Sequence, residues 1–148
     1  MSKLKFNEPI THIPSYTELC ISSQDLFPKL LTLGVELPFG LQQNWYYYLN
    51  LEDWGKIIND LMFKSNLYTP DKRDCDWYAS KAWVTCRERY GLNTLAFVNG
   101  NSNAGYHAYN LLYHGDGFKL WEPNDGFPFS GSFFEIGEYG YIPKKALL

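Results

Sequence analysis

Asp74-Cys75-Asp76-Trp77-Tyr78-Ala79-Ser80-Lys81-Ala82-Trp83-Val84-Thr85-Cys86-Arg87-Glu88-Arg89-Tyr90 reads as one helix that opens on a cysteine, with Gly91 in the place of a left-handed C-terminal cap. Asp74 suits the N-cap, because its carboxylate can accept from the free amides of the first turn. Cys75 is then the first helical residue, and the positive end of the helix dipole favours thiolate there. Asp74 and Asp76 oppose that effect unless a cation, either a metal or a protonated imidazole, stands beside them. The stretch therefore asks for a histidine elsewhere in the chain. Cys75, Ala79, Ala82, Trp83 and Cys86 recur on one side, and Ser80, Lys81, Arg87 and Glu88 on the other, which makes the first set the buried stripe. Cys86 is expected to be an inert core residue. Cys75, at the helix mouth, is expected to be anchored and open to a cleft.

Upstream, Trp45 to Asn50 reads as an aromatic strand, because four consecutive aromatics suit a pleated surface. Asn50 then caps an amphipathic helix from about Leu51 to Phe63, with apolar residues at 51, 54, 57, 58, 61 and 62. Trp54 belongs to its core face. Ser65 to Arg73 is a loop stopped by Pro70. Residues 1 to 44 are punctuated by Pro9, Pro14, Pro28 and Pro38, so the elements between them are short. Ser23 to Leu31 can form a brief helix with Pro28 near its first turn. Gln42, Gln43 and Asn44 read as a surface loop, although their amides could serve an oxyanion.

Downstream, three strands can be drawn: Asn93 to Val98, Gly105 to Tyr113 and Gly117 to Glu122. The separators Asn99 to Ala104 and His114-Gly115-Asp116 are turn chemistry, so an antiparallel meander packed on the central helix is expected, an α+β class. The tail, with Phe127-Pro128-Phe129, Phe133-Phe134 and Tyr139-Gly140-Tyr141, can add an edge strand. Alternation puts His107, Tyr109 and Leu111 on one face of the second strand and Tyr106, Ala108, Asn110 and Leu112 on the other. His107 and Glu122 are equidistant from 114.5, inside the turn. The expected ladder therefore opposes them directly on one face, with Cβ atoms about 4.5 to 5.5 Å apart.

Composition narrows the partners. The 148 residues suit one domain, and 45% hydrophobic with 18% aromatic residues suit a ring-rich core. A formal charge of -3 gives no electrostatic case for nucleic acid or an anionic membrane. No apolar run approaches the ~18 residues of a span, and Met-Ser-Lys-Leu-Lys-Phe lacks a signal-peptide core, so a cytoplasmic location is expected. Three cysteines, Cys20, Cys75 and Cys86, cannot all pair, and their spacing fits neither a zinc site nor a disulfide framework.

A helix-borne Cys75, a strand His107 and an acid at the end of the adjacent strand, Glu122, can meet at one edge of the sheet. That is the arrangement nucleophilic catalysis by cysteine needs. Asp116 and Asp125 are rival acids, the first in a hairpin turn and the second past Pro123. Asn110 points away from His107 and reads as structural. The order Cys, His, Glu on helix, strand, strand is also that of papain-like and transglutaminase-like folds. More closely, Asp74-Cys75-Asp76-Trp77-Tyr78-Ala79, Tyr106-His107-Ala108-Tyr109-Asn110 and Leu120-Trp121-Glu122-Pro123-Asn124 resemble the papain-like cysteine-protease domain of the Marasmius oreades agglutinin family and its bacterial and phage relatives.

The resemblance covers about residues 50 to 126, leaving 1 to 49 as a covering segment and 127 to 148 as a tail. It implies a thiol peptidase with Cys75 as nucleophile, His107 as general base and Glu122 as orienting acid, acting on a peptide or amide bond. It also implies a calcium ion held by acids beside the site, with Asp76, Glu122 and Asn124 as the matching positions. Trp77 departs from the pattern, since related sequences often carry a third acid there. A Ca2+ site wants about 6 to 8 oxygens, and few are in view. Competing readings are a cell-wall amidase, which uses the same Cys-then-His order, and a catalytically silent module with a structural role, such as a phage protein.

Overall fold

In the computed structural model, residues 13–148 are described. Pro9 and the Met1 to Phe6 start lie outside the described residues. The elements in chain order are β1 (Leu19–Ser22), α1 (Ser23–Thr32), β2 (Trp45–Tyr48), α2 (Leu51–Ile57), α3 (Cys75–Tyr90), β3 (Leu95–Ser102), β4 (Gly105–Tyr113), β5 (Phe118–Trp121) and β6 (Ile142–Leu147), with short 3-10 turns between some of them. β1 and β2 form a two-stranded ribbon, and the other four form an antiparallel sheet in the order β5-β4-β3-β6. The class is α+β, with helix α3 against an antiparallel sheet.

Parity in β4 divides the core. Leu112 and its neighbour Trp121 face α2 and α3, packing with Trp54, Ile57, Ala82 and Cys86. Tyr109, Leu111 and Tyr113 face the other way, toward Leu26 and Leu30 of α1, Phe134 and Tyr141. The indoles in this interior are satisfied: Trp54 Nε1 donates to the Tyr113 carbonyl and Trp121 Nε1 to that of Leu61, each at 2.9 Å. Asn110, fully buried, sends Nδ2 to the carbonyls of Ala79 and Ala96, both at 3.0 Å. It thereby pins the first turns of α3 to the sheet, the structural role expected of it.

Several local expectations change. Asp74 takes the N-cap position with an extended backbone, but its side chain makes no capping bond. Asn50 does cap α2, accepting from Asp53 N at 2.8 Å, yet the α-helix stops at Ile57 and continues as a 3-10 turn, Ile58–Leu61. Pro28 lies in the second turn of α1 rather than the first. β3 runs through Asn99-Gly100-Asn101-Ser102, which composition marks as a turn. The reversal is only Asn103-Ala104, between the paired Ser102 and Gly105. Pairing on both sides, with β4 and β6, extends the strand past its turn-like residues.

Gly100 carries a requirement of its own. The β3–β6 register shifts between Asn99 and Gly100, a bulge that brings β6 close. A Cβ there would run into the Ile142 carbonyl oxygen and stand 2.7 Å from the Tyr109 hydroxyl. Gly100→Ala is therefore expected to cost about 3 kcal/mol, since backbone rather than a flexible side chain must yield. Urea unfolding measures it; an unchanged midpoint would show that β6 is not held against this glycine.

Candidate active site

Ladder geometry decides where the site forms. β4 and β5 pair Asn110 with Trp121, Leu111 with Leu120, Leu112 with Lys119 and Tyr113 with Phe118. The reversal is thus a loop of four residues, His114-Gly115-Asp116-Gly117. Its centre falls between Gly115 and Asp116, one position later than the sequence suggests. Continued along the same register, Glu122 falls opposite Tyr109, and His107 opposite Asn124. His107 and Glu122 are accordingly diagonal neighbours, not directly opposed, which corrects the expected pairing. A centre moved by one whole position leaves the parity unchanged, so the two side chains still share a face. Both are long enough to span the diagonal, and Nε2 of His107 lies 2.8 Å from Oε2 of Glu122.

β5 ends at Trp121, and the ladder leaves His107, Ala108 and Tyr109 paired only with β3. The mouth of α3 meets the sheet at this uncovered length of β4, and the Cys75 side chain lies close enough to the His107 ring to raise its pKa. With Nε2 engaged by Glu122, Nδ1 is the ring nitrogen left for sulfur. Cys75 is half-buried, whereas Cys86 is fully buried and Cys20 exposed. Burial pushes the Cys86 thiol far up, as suits a core residue. Asp76 is exposed, and its Oδ1 accepts a weak contact from Cys75 Sγ at 3.9 Å.

His107 is mostly buried. Its ring stacks on Tyr109 (centroids 5.9 Å apart) and meets Phe127 and Tyr141 at 5.6 and 5.7 Å. This burial disfavours the imidazolium, but the nearby Cys75 side chain and the bond and charge of Glu122 outweigh it, so the ring is pushed up to about 9. Of the two cations that the acidic helix start calls for, the one the structure can supply is the protonated form of His107.

Glu122, 1% exposed, is held from three sides. Oε2 also accepts from the Tyr141 hydroxyl at 2.7 Å, and Oε1 accepts from Asn124 N at 3.1 Å. The rival acids are engaged elsewhere: Asp125 accepts from Ser65 N at 2.6 Å and stands 3.6 Å from Lys64 Nζ, while Asp116 is exposed in the loop. Gln42, Gln43 and Asn44 are exposed loop residues.

The calcium expectation does not fit this donor set. Both oxygens of Glu122 are committed, and Asn124 Oδ1 accepts from Gly126 N at 2.9 Å, leaving exposed Asp76 as the remaining carboxylate of the three. Among the described residues no group of three or more His, Cys, Asp or Glu is placed to hold a metal ion. Hard cations need several free oxygens converging on one point. Millimolar calcium is expected to leave the thermal midpoint where a chelator leaves it; a rise would reveal a site that binds the folded state.

Sequence reasoning did not find Tyr141, Tyr109 or Phe127. Alternation placed Tyr109 beside His107, a signal that was available; nothing local in Tyr139-Gly140-Tyr141 indicates that the last tyrosine reaches Glu122.

The fold and site define an α+β protein in which a thiol at a helix mouth faces an imidazole–carboxylate pair on an antiparallel sheet. Among solved structures, the PSL1a-E64 complex shares the fold, with a TM-score of 0.62 at 17% identity, over 88% of this chain and 51% of that one. The chain thus spans about half the length of that neighbour. No family model matches the sequence, and no curated protein matches it. No helix among the described residues is long and apolar enough to cross a membrane.

Proposed function

We propose that the protein is a cysteine hydrolase that cleaves a peptide or amide bond, with Cys75 as nucleophile, His107 as general acid and base, and Glu122 as the acid that orients the ring. The observation that carries this reading is the His107 ring bonded at 2.8 Å to a buried carboxylate while standing within interaction range of the Cys75 side chain. Support comes from the short papain-like motifs around all three residues and from the fold shared with a protein in complex with E64, a cysteine-protease inhibitor.

In this reading His107 takes the Cys75 proton and sulfur attacks the substrate carbonyl carbon. As the tetrahedral adduct collapses, the imidazolium gives its proton to the departing amine and the C–N bond breaks. Water, deprotonated by His107, then attacks the thioester; the acid leaves and sulfur recovers its proton. Glu122 keeps Nε2 protonated, so Nδ1 is the nitrogen that exchanges protons.

Alkylation tests the reading without a known substrate. At pH 7 iodoacetamide is expected to modify Cys75 at least about tenfold faster than exposed Cys20, with Cys86 protected while folded. Equal rates at Cys75 and Cys20, together with no labelling by E64, would favour a silent module. The alkaline side has a defined sign. The folded His107 value lies above its ordinary 6.5, so its contribution to stability is complete below about 6.5 and is lost as pH rises through about 9. Hydrolysis is expected to fall over the same upper limb, because the leaving amine loses its proton donor, while alkylation of the thiolate persists.

A further inference from the structure

We propose that Tyr141 is a positioning residue of the site, a phenol that clamps Oε2 of Glu122 and so fixes the carboxylate on which His107 is oriented; this rests on the hydrolase reading above. The geometry is direct. One carboxylate oxygen receives two donors, His107 Nε2 at 2.8 Å and Tyr141 OH at 2.7 Å, while Asn124 N holds the other at 3.1 Å. A carboxylate with three donors cannot rotate about its last bond without breaking one. Removing the phenol frees the Oε2 side on which the imidazole depends. Tyr141 is 2% exposed, and burial followed by the adjacent Glu122 charge pushes its phenol far up, so it stays a donor across the working range.

Tyr141 is itself delivered by a constrained turn. Tyr139 adopts a positive φ of 55° and stacks on Phe129 with centroids 4.0 Å apart. Gly140, at φ 72°, lies where a Cβ would strike the Asn103 side chain, and Asn103 N donates to the Tyr139 carbonyl at 3.0 Å. Non-glycine residues enter this region at a cost that surrounding contacts must hold in place. The ring of Tyr141 then packs on Tyr109, Phe129, Phe134 and His107. Tyr141→Phe removes one oxygen and keeps all of that packing.

The test compares wild type and Tyr141→Phe in the full chain, with E64 as probe. The expected result is a limiting rate of Cys75 labelling lowered about tenfold, the scale of one hydrogen bond to a charged group, with the half-saturating E64 concentration unchanged within about twofold. In proton NMR the wild type should show slowly exchanging Tyr141 hydroxyl and His107 Nε2 protons, and the variant should lose the first and broaden the second. An unchanged limiting rate with an unchanged His107 proton, whatever the melting temperature, would overturn the proposal. If wild type is not labelled by E64 at all, the hydrolase reading fails, and the two NMR signals alone decide the clamp. If the variant does not fold, the wild-type hydroxyl signal decides it: present with a cross-relaxation contact to His107 supports the clamp, absent overturns it.

Discussion

Cys75→Ala is expected to abolish hydrolysis and leave stability nearly unchanged, while Cys86→Ala keeps hydrolysis and lowers stability: the two thiols lie on one helix. Cys75 sits half-buried at the mouth of α3, where loss of sulfur removes little packing. Surface and half-buried truncations of this size commonly change stability by about 0.5 kcal/mol or less. Cys86 is fully buried among Trp54, Ala82 and Leu92, so its removal leaves a small void costing from a few tenths to about 2 kcal/mol. Its turnover should match wild type under folding conditions. Turnover and denaturant midpoints on the two variants and wild type check both halves. Residual turnover in Cys75→Ala above the uncatalysed rate would remove the thiol from the mechanism.

Glu122→Gln is expected to lower turnover on the order of 10^3-fold, with a smaller change in the half-saturating substrate concentration. The buried carboxylate accepts three hydrogen bonds, two on one oxygen. An amide offers a single carbonyl oxygen. Whichever way it turns, its NH2 faces a donor, and at least one partner among His107, Tyr141 and Asn124 N is left unmatched. Two effects follow. His107 loses the Glu122 share of what raises it, the charge and the bond, while the Cys75 share remains, so its titration falls below about 9 and the alkaline limb of activity moves down with it. The unmatched buried group also costs about 1 to 3 kcal/mol of stability. A pH profile of turnover beside an NMR titration of the His107 ring measures both. An alkaline limb unmoved in the variant would mean that Glu122 does not set the state of His107.

Much of this arrangement is legible in the sequence, and the reason is parity. Helical period places Cys75 at a mouth and Cys86 in a core, and strand period puts His107 and Asn110 on opposite faces. Neither depends on knowing the register to one residue. The His107–Glu122 contact survives an error of one position in the turn centre, because that error moves the opposed pair along the strand by two and leaves the face unchanged. What could not be read is what depends on contacts distant in sequence. Asn99 to Ser102 carry turn-like side chains, yet pairing with β4 and with β6 keeps them in a strand. Asp74 is the right residue for a cap and does not cap, since nothing in composition says where a carboxylate will turn. Tyr141 reaches Glu122 because the turn before it and the docking of β6, the strand after it, on the distant β3 bring it there. The calcium expectation came with a family likeness and needed free oxygens, which hydrogen bonds within the chain have taken.

The order of the sheet, β5-β4-β3-β6, bears on how the proposed hydrolase would lose activity as it begins to unfold. The thiol stands on a helix held by bonds between near neighbours, and His107 lies on a hairpin closed by two residues. Tyr141 is held by the edge strand β6, which pairs on one side with β3 and on the other, among the described residues, meets only a bridge at Glu36. Edge strands open locally at lower free energy than central ones. Peeling β6 away would withdraw the phenol from Glu122 while α3, β3 and β4 remain intact. The alignment of the reactive groups is therefore less stable than the secondary structure that carries them. Mild denaturant or heat should silence the site while helical circular dichroism is still unchanged.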